Sequence, residues 1–83
     1  MGKTSLTEPE MYALLAKNLS YLRKSRGGLS QKAVARFLRL PPKTIMNYEN
    51  CRSTPLAYAV LRLAAYYGCT VDDLLTKNLT ERK

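Results

Sequence analysis

The stretch Leu29-Ser30-Gln31-Lys32-Ala33-Val34-Ala35-Arg36-Phe37-Leu38-Arg39-Leu40-Pro41-Pro42-Lys43-Thr44-Ile45-Met46-Asn47-Tyr48-Glu49-Asn50 decides how this chain folds. Ser30 reads as a helix cap, its hydroxyl able to accept from a free amide of the first turn. Behind it Ala33, Val34, Phe37 and Leu38 supply apolar positions at helical spacing, and Ala35 is small enough for close helix contact. A helix is expected over 31–38. Arg39-Leu40-Pro41 reads as a turn, because Pro41 pushes Leu40 out of helical geometry. Pro42 suits the first helical position, where no amide hydrogen is needed, so a second helix is expected over 42–50. Ile45 and Tyr48 form its inward edge. Lys43, Thr44, Met46, Asn47 and Asn50 are left to face outward or sideways.

The flanks extend the same pattern. Thr7-Glu8-Pro9-Glu10 is a helix start in which Thr7 caps and Glu10 reaches back. Met11, Leu15, Leu19 and Leu22 then recur at helical spacing, with Leu14 and Asn18 beside them, and Gly27-Gly28 stops the helix. It is expected over 8–26. Thr54-Pro55 repeats the cap-then-proline start for a helix over 55–67, with Val60, Leu63, Ala64 and Tyr67 on one face and Gly68 at its end. Thr70-Val71-Asp72-Asp73 opens a last helix over 71–77 that buries Val71, Leu74 and Leu75. Residues 78–83 are expected to fray. No strand alternation, repeat or low-complexity stretch occurs. The reading is an all-α chain of five helices, one domain over 1–83 with its core at about 8–77.

Charge narrows the ligand. The chain carries 14 basic and 6 acidic residues, a net +8. The stretch from Lys17 to Arg62 holds ten of the basic residues (Lys17, Arg23, Lys24, Arg26, Lys32, Arg36, Arg39, Lys43, Arg52 and Arg62) and one acid, Glu49. Such a block seeks a polyanion, although a basic surface can also simply solubilise. With no histidine and only Cys51 and Cys69, neither a metal site nor a bound cofactor is expected. Cys69 reads as core packing. The N-terminus has no apolar signal segment, and no apolar run approaches the ~20 residues that span a membrane. Scattered thiols without such a signal point to the cytoplasm. Gly2-Lys3-Thr4 echoes the end of a phosphate-binding loop, but the preceding strand and first glycine are missing. Without histidine, a paired carboxylate in a pocket or an activated cysteine pair, an enzyme is not expected; Asp72 and Asp73 read as first-turn helix acids.

Two short helices joined by a tight turn, with basic residues outside, form the pattern of a helix-turn-helix, whose second helix enters the major groove of DNA. The chain resembles the phage repressor and Cro family, the XRE-type helix-turn-helix, across about 19–75. The resemblance rests on Leu22-Arg23-Lys24-Ser25-Arg26-Gly27-Gly28-Leu29-Ser30-Gln31, on Tyr48-Glu49-Asn50-Cys51-Arg52-Ser53-Thr54-Pro55, and on Leu63-Ala64-Ala65-Tyr66-Tyr67-Gly68 followed by Asp72-Asp73-Leu74-Leu75. It implies a lambda-repressor-like domain with the reader built from helices 2 and 3. Several positions depart from the family pattern. Arg39 replaces the turn glycine, which implies a left-handed backbone costing roughly 1–2 kcal/mol or a changed turn. Pro41 and Pro42 replace polar residues that cap and open the recognition helix. Cys51 replaces the glycine after it, and Gly27-Gly28 adds one residue to the loop before helix 2.

The resemblance implies roles residue by residue. Lys43 can donate to guanine O6 and N7, and Asn47 can pair with adenine N6 and N7, worth roughly 1–3 kcal/mol of discrimination if bidentate. Thr44 can reach a base edge or a phosphate, and Met46 a thymine methyl. Gln31, Lys32, Asn50, Arg52 and Ser53 are expected on phosphates, which set register without reading sequence. Arg39 and Lys24 add longer-range attraction. Arg23 is expected to pair with Glu49 and orient helix 3. Taken singly, each of these also reads as a solvated surface residue.

The function expected is a sequence-specific regulator of transcription, a repressor, bound to double-stranded DNA as a homodimer on a two-fold symmetric site. Tyr58, Tyr66 and Phe37 either line a dimer or partner surface or lie over the small core with polar tips in water. The alternative function is a protein-interaction module, or an antitoxin-type partner protein, that keeps the fold with weak or no DNA binding. RNA binding is a weaker alternative, because the aromatic residues fall in no sheet motif.

Overall fold

In the computed structural model, which describes residues 6–81, the chain runs α1 (Glu8–Ser25), α2 (Gln31–Leu38), α3 (Thr44–Glu49), α4 (Ala57–Tyr67), α5 (Val71–Thr76) and a 3-10 turn at Leu79–Glu81. Gly2-Lys3-Thr4 and the chain's last two residues lie outside the described part. No strand occurs among the described residues, and no helix there is long and apolar enough to cross a membrane.

Local chemistry sets most of the boundaries. Thr7 Oγ1 accepts from the Glu10 amide while the Thr7 amide donates to Glu10 Oε1, so the box read in the sequence closes. Ser30 Oγ accepts from the Ala33 amide at 3.0 Å. Thr70 and Asp73 form a second reciprocal box, and Lys77 and Thr70 together hold the Asp73 carboxyl below the usual carboxylate range. Gly68, at φ 75°, ends α4 in the left-handed conformation that a residue without Cβ adopts freely.

The core joins one face of each helix. Leu15, Leu19 and Leu22 of α1 meet Val34, Ala35 and Leu38 of α2, Ile45 of α3, Val60, Leu63, Ala64 and Tyr67 of α4, and Leu74 of α5. Helix α1 packs on α3 and α5, α2 on α3, and α4 on α5. Cys69 lies against this cluster, and burial pushes its thiol up. Met11 is only half-buried, at the margin of the stripe it was expected to lead.

Several expectations need correction. Helix α3 begins at Thr44, not at residue 42. The Thr44 amide donates to Pro41 O at 3.0 Å, so Pro42 and Lys43 are the middle of a turn, a position proline's fixed φ suits. Helix α4 begins at Ala57, not at residue 55, and Thr54 does not cap it. The chain stays extended through Leu56 (φ −72°, ψ 151°), where Pro55 lines surface hollows shared with Tyr12. Helices α1, α3 and α5 each end one residue early. The segment after α5 is also more ordered than expected. Asn18, fully buried on α1, donates through Nδ2 to Leu74 O at 2.9 Å and Lys77 O at 2.7 Å. Its Oδ1 accepts from the Leu79 amide at 3.0 Å. One side chain thus satisfies the loose carbonyls at the end of α5 and pins the turn that follows.

Candidate nucleic-acid interface

Helix α3 has one anchored side. Ile45 is 1% exposed, and Tyr48 packs partly buried against the core. A helical period of 3.6 then sends Lys43, Met46, Asn47 and Asn50 to the opposite side, with Thr44 on its flank. Lys43 and Asn50 are exposed, and Thr44, Met46 and Asn47 are partly so. None of these five side chains has a hydrogen bond or ion pair among the described residues. The amide and ammonium groups needed to read a base edge are therefore held on one rod and left unspent.

A buried ionic clamp sets the angle of that rod. Arg23 Nε donates to Glu49 Oε2 and Arg23 Nη2 to Glu49 Oε1, both at 2.9 Å, a two-pronged bond between α1 and the end of α3. The two side chains are 11% and 3% exposed. Arg23 Nη1 also donates to Leu29 O at 2.8 Å, which ties in the loop before α2. The hydrogen bonds to the Glu49 carboxylate raise the Arg23 guanidinium above its already high range. The Arg23–Glu49 pair expected from the resemblance is thus present, and partly buried. Tyr67, 2% exposed, borders it, and its hydroxyl has no hydrogen-bond partner among the described residues. Burial first, and the Glu49 charge second, push that hydroxyl up to about 12.

Gln31 joins the same clamp: its Nε2 donates to Glu49 Oε1 at 2.9 Å. One amide hydrogen of Gln31 is therefore committed inside the protein rather than presented outward. Lys32, Arg52 and Ser53 are exposed, and their side chains have no hydrogen bond or ion pair among the described residues. The loop carrying Arg52 is closed by its own backbone. The Arg52 amide donates to Asn47 O at 2.8 Å, and Cys51 sits at φ 57°. Cys51 thus takes the left-handed position that the family fills with glycine. Arg39 does the same in the motif's own turn, at φ 59° and ψ 44°, so the strained alternative holds and the turn keeps its shape.

Two anchors were not legible. Arg62 Nη1 donates to Leu38 O and its guanidinium lies 5.6 Å from the Tyr58 ring centroid, so α4 holds the end of α2 just before the turn. Arg26 Nη2 donates to Tyr67 O. Both belong to the basic stretch from Lys17 to Arg62. Together with Arg23 they act inside the protein, whereas Lys17, Lys24, Lys32, Arg36, Arg39, Lys43 and Arg52 have no such partner among the described residues. Long-range pairing of a cation with a backbone carbonyl leaves no local signal in sequence.

An all-helical fold whose second and third helices form such a bihelical unit defines a helix-turn-helix protein. Residues 19–74 match the helix-turn-helix family HTH_3, and the chain belongs to that family, the XRE-type class of DNA-binding transcriptional regulators. Among solved structures, the chain is similar to the crystal structure of a hypothetical transcription factor, NHTF, from Neisseria. The TM-score is 0.76 with 23% identity, over 96% of this chain and 92% of that one, a likeness of fold. Comparison with curated proteins gave no match.

Proposed function

We propose that this regulator is a repressor that reads the major groove of double-stranded DNA with α3 and binds as a homodimer to a two-fold symmetric site. The observation that carries the reading is the unspent outer side of α3, with Lys43 and Asn47 one turn apart opposite a fully buried Ile45. Lys43 donates to guanine and Asn47 pairs with adenine, while Thr44 and Met46 meet a neighbouring edge or methyl group. Lys32, Asn50, Arg52 and Ser53, with the free amide hydrogen of Gln31, hold phosphates on either side and set the register. Repression follows from occupancy of the site.

The homodimer draws support from exposed apolar groups. Leu56, Tyr58 and Leu61 at α4 are 72%, 68% and 58% exposed, and Phe37 of α2, itself 68% exposed, packs at a tilt against Tyr66 of α4 with ring centroids 5.0 Å apart. The same exposed groups favour the second reading, an antitoxin-type or purely protein-binding module. Selection of bound sequences from a random duplex pool separates the two. A two-fold symmetric motif is expected, with half-sites about one helical turn apart. Asn47→Ala should relax preference at one position per half-site, and Arg52→Ala should weaken all sequences alike. Failure to bind any duplex at ~50 mM salt, where counterion release favours binding, supports the protein-binding module instead.

A further inference from the structure

The solvent side of α2 carries Lys32 and Arg36 one helical turn apart. Both are exposed, and neither has a hydrogen bond or ion pair among the described residues. Between them and the turn that leads into α3 lies a hollow of about 380 Å³, lined by Lys32, Ala35, Arg36, Leu40 and Pro42. Ala35, 0% exposed, belongs to its apolar lining with Leu40 and Pro42, and Pro42 immediately precedes the reader Lys43. The hollow is thus apolar within, cationic at its rim, and contiguous with the start of the reading helix.

We infer that this notch grips the sugar–phosphate backbone beside the half-site, with Lys32 and Arg36 on phosphate oxygens and the deoxyribose against Leu40 and Pro42. The inference rests on the groove-reading function proposed above and adds Arg36 as a positioning residue.

The double proline supplies the reason. Pro41 and Pro42 have no amide hydrogen and no polar side chain, so these two residues cannot donate to a phosphate. Anchorage at that edge has to come from a neighbouring element, and α2 offers two free cations there with no acid of its own. Arg36 also differs from Arg23, Arg26 and Arg62, whose guanidiniums are spent on internal bonds. An acidic protein segment would match the rim charge too, but the lining residue Pro42 directly precedes the reader Lys43, which favours DNA.

The test is the salt dependence of binding to a labelled random-sequence duplex between 50 and 200 mM salt, for the full chain. Neutralising one phosphate fewer flattens the log–log slope by about 0.9, which is about a threefold smaller affinity ratio across that range. Lys32→Ala and Arg36→Ala should each do this, and the double variant about twice as much. Lys17→Ala, which removes an equal charge from α1, is the control for long-range attraction and should change the slope little. All three positions are exposed, so thermal melting should stay at the wild-type value and exclude misfolding. A double variant with the wild-type slope, or one that differs no more than Lys17→Ala, overturns the notch and leaves groove reading intact. Wild-type protein that fails to bind at 50 mM salt overturns both. An acidic peptide that competes with duplex on the wild type but not on the double variant, at unchanged slope, assigns the notch to a protein partner and overturns the inference.

Discussion

Arg23→Met should be the most damaging single change to the clamp behind the reading helix. It removes a two-pronged bond at 2.9 Å from a glutamate whose side chain is 3% exposed, and leaves that carboxylate with Gln31 alone. Breaking a buried pair by removal of one partner costs about 3–5 kcal/mol, because the surviving charge stays desolvated. A chain of this length has a total stability of about 4–12 kcal/mol. In a domain of this size 1 kcal/mol shifts the melting temperature by about 4–8 °C, so a fall of at least ~12 °C is expected. Glu49→Leu should be comparably harmful, since it strands the guanidinium. The double variant Arg23→Met/Glu49→Leu should recover much of the stability, because two apolar groups of similar size leave no orphaned charge. Thermal melting by circular dichroism on the four proteins closes the cycle. Duplex binding well below each melting temperature then reports whether α3 is still held at its reading angle. The reasoning is refuted if Arg23→Met leaves both melting temperature and DNA affinity unchanged. It is equally refuted if the double variant is destabilised by as much as the sum of the two single variants.

Three further outcomes are expected. Asn18→Ala should cost about 2–3 kcal/mol, because the Leu74 carbonyl is left unpaired inside the protein, and hydrogen exchange should quicken first at the end of α5 and at Leu79. Uniform exchange, or an unchanged melting curve, would show that Asn18 is no latch. Arg39→Gly should raise stability by up to about 1 kcal/mol by removing left-handed strain, less the extra freedom glycine gives the unfolded chain; a drop in stability in denaturant titration contradicts it. Tyr67 should make the protein alkali-sensitive. Its folded value of about 12 lies above the ~10 of an unfolded tyrosine, so its contribution is intact below pH 10 and is lost as pH rises toward 12. The loss approaches roughly 2–3 kcal/mol by about pH 12, and absorbance at 295 nm should show Tyr67 ionising late. Its ionisation near the ~10 of an unfolded tyrosine would remove the basis for the effect.

Sequence legibility followed the range of the forces involved. Ser30, Thr7 with Glu10, and Thr70 with Asp73 cap over three residues, so their hydrogen bonds could be read from spacing alone. The two α3 and α4 starts were misplaced because proline tolerates both the first helical turn and the bend before it. The choice fell to the Pro41–Thr44 hydrogen bond in one case and to the seat of Pro55 near Tyr12 in the other. Asn18 looked like a flanking polar residue. Its partners lie 56 to 61 residues away, beyond any local pattern.

By itself, the order of residues determined five helices, their apolar faces and the outward placement of Lys43, Thr44 and Asn47. Those outcomes depend on a 3.6-residue period and on caps that act within one turn. Only the tertiary structure decided which cations remain available to a ligand. Arg26 and Arg62 are spent on backbone carbonyls and Lys32, Arg36 and Lys43 are not, because a guanidinium finds its carbonyl only after packing has brought distant segments together.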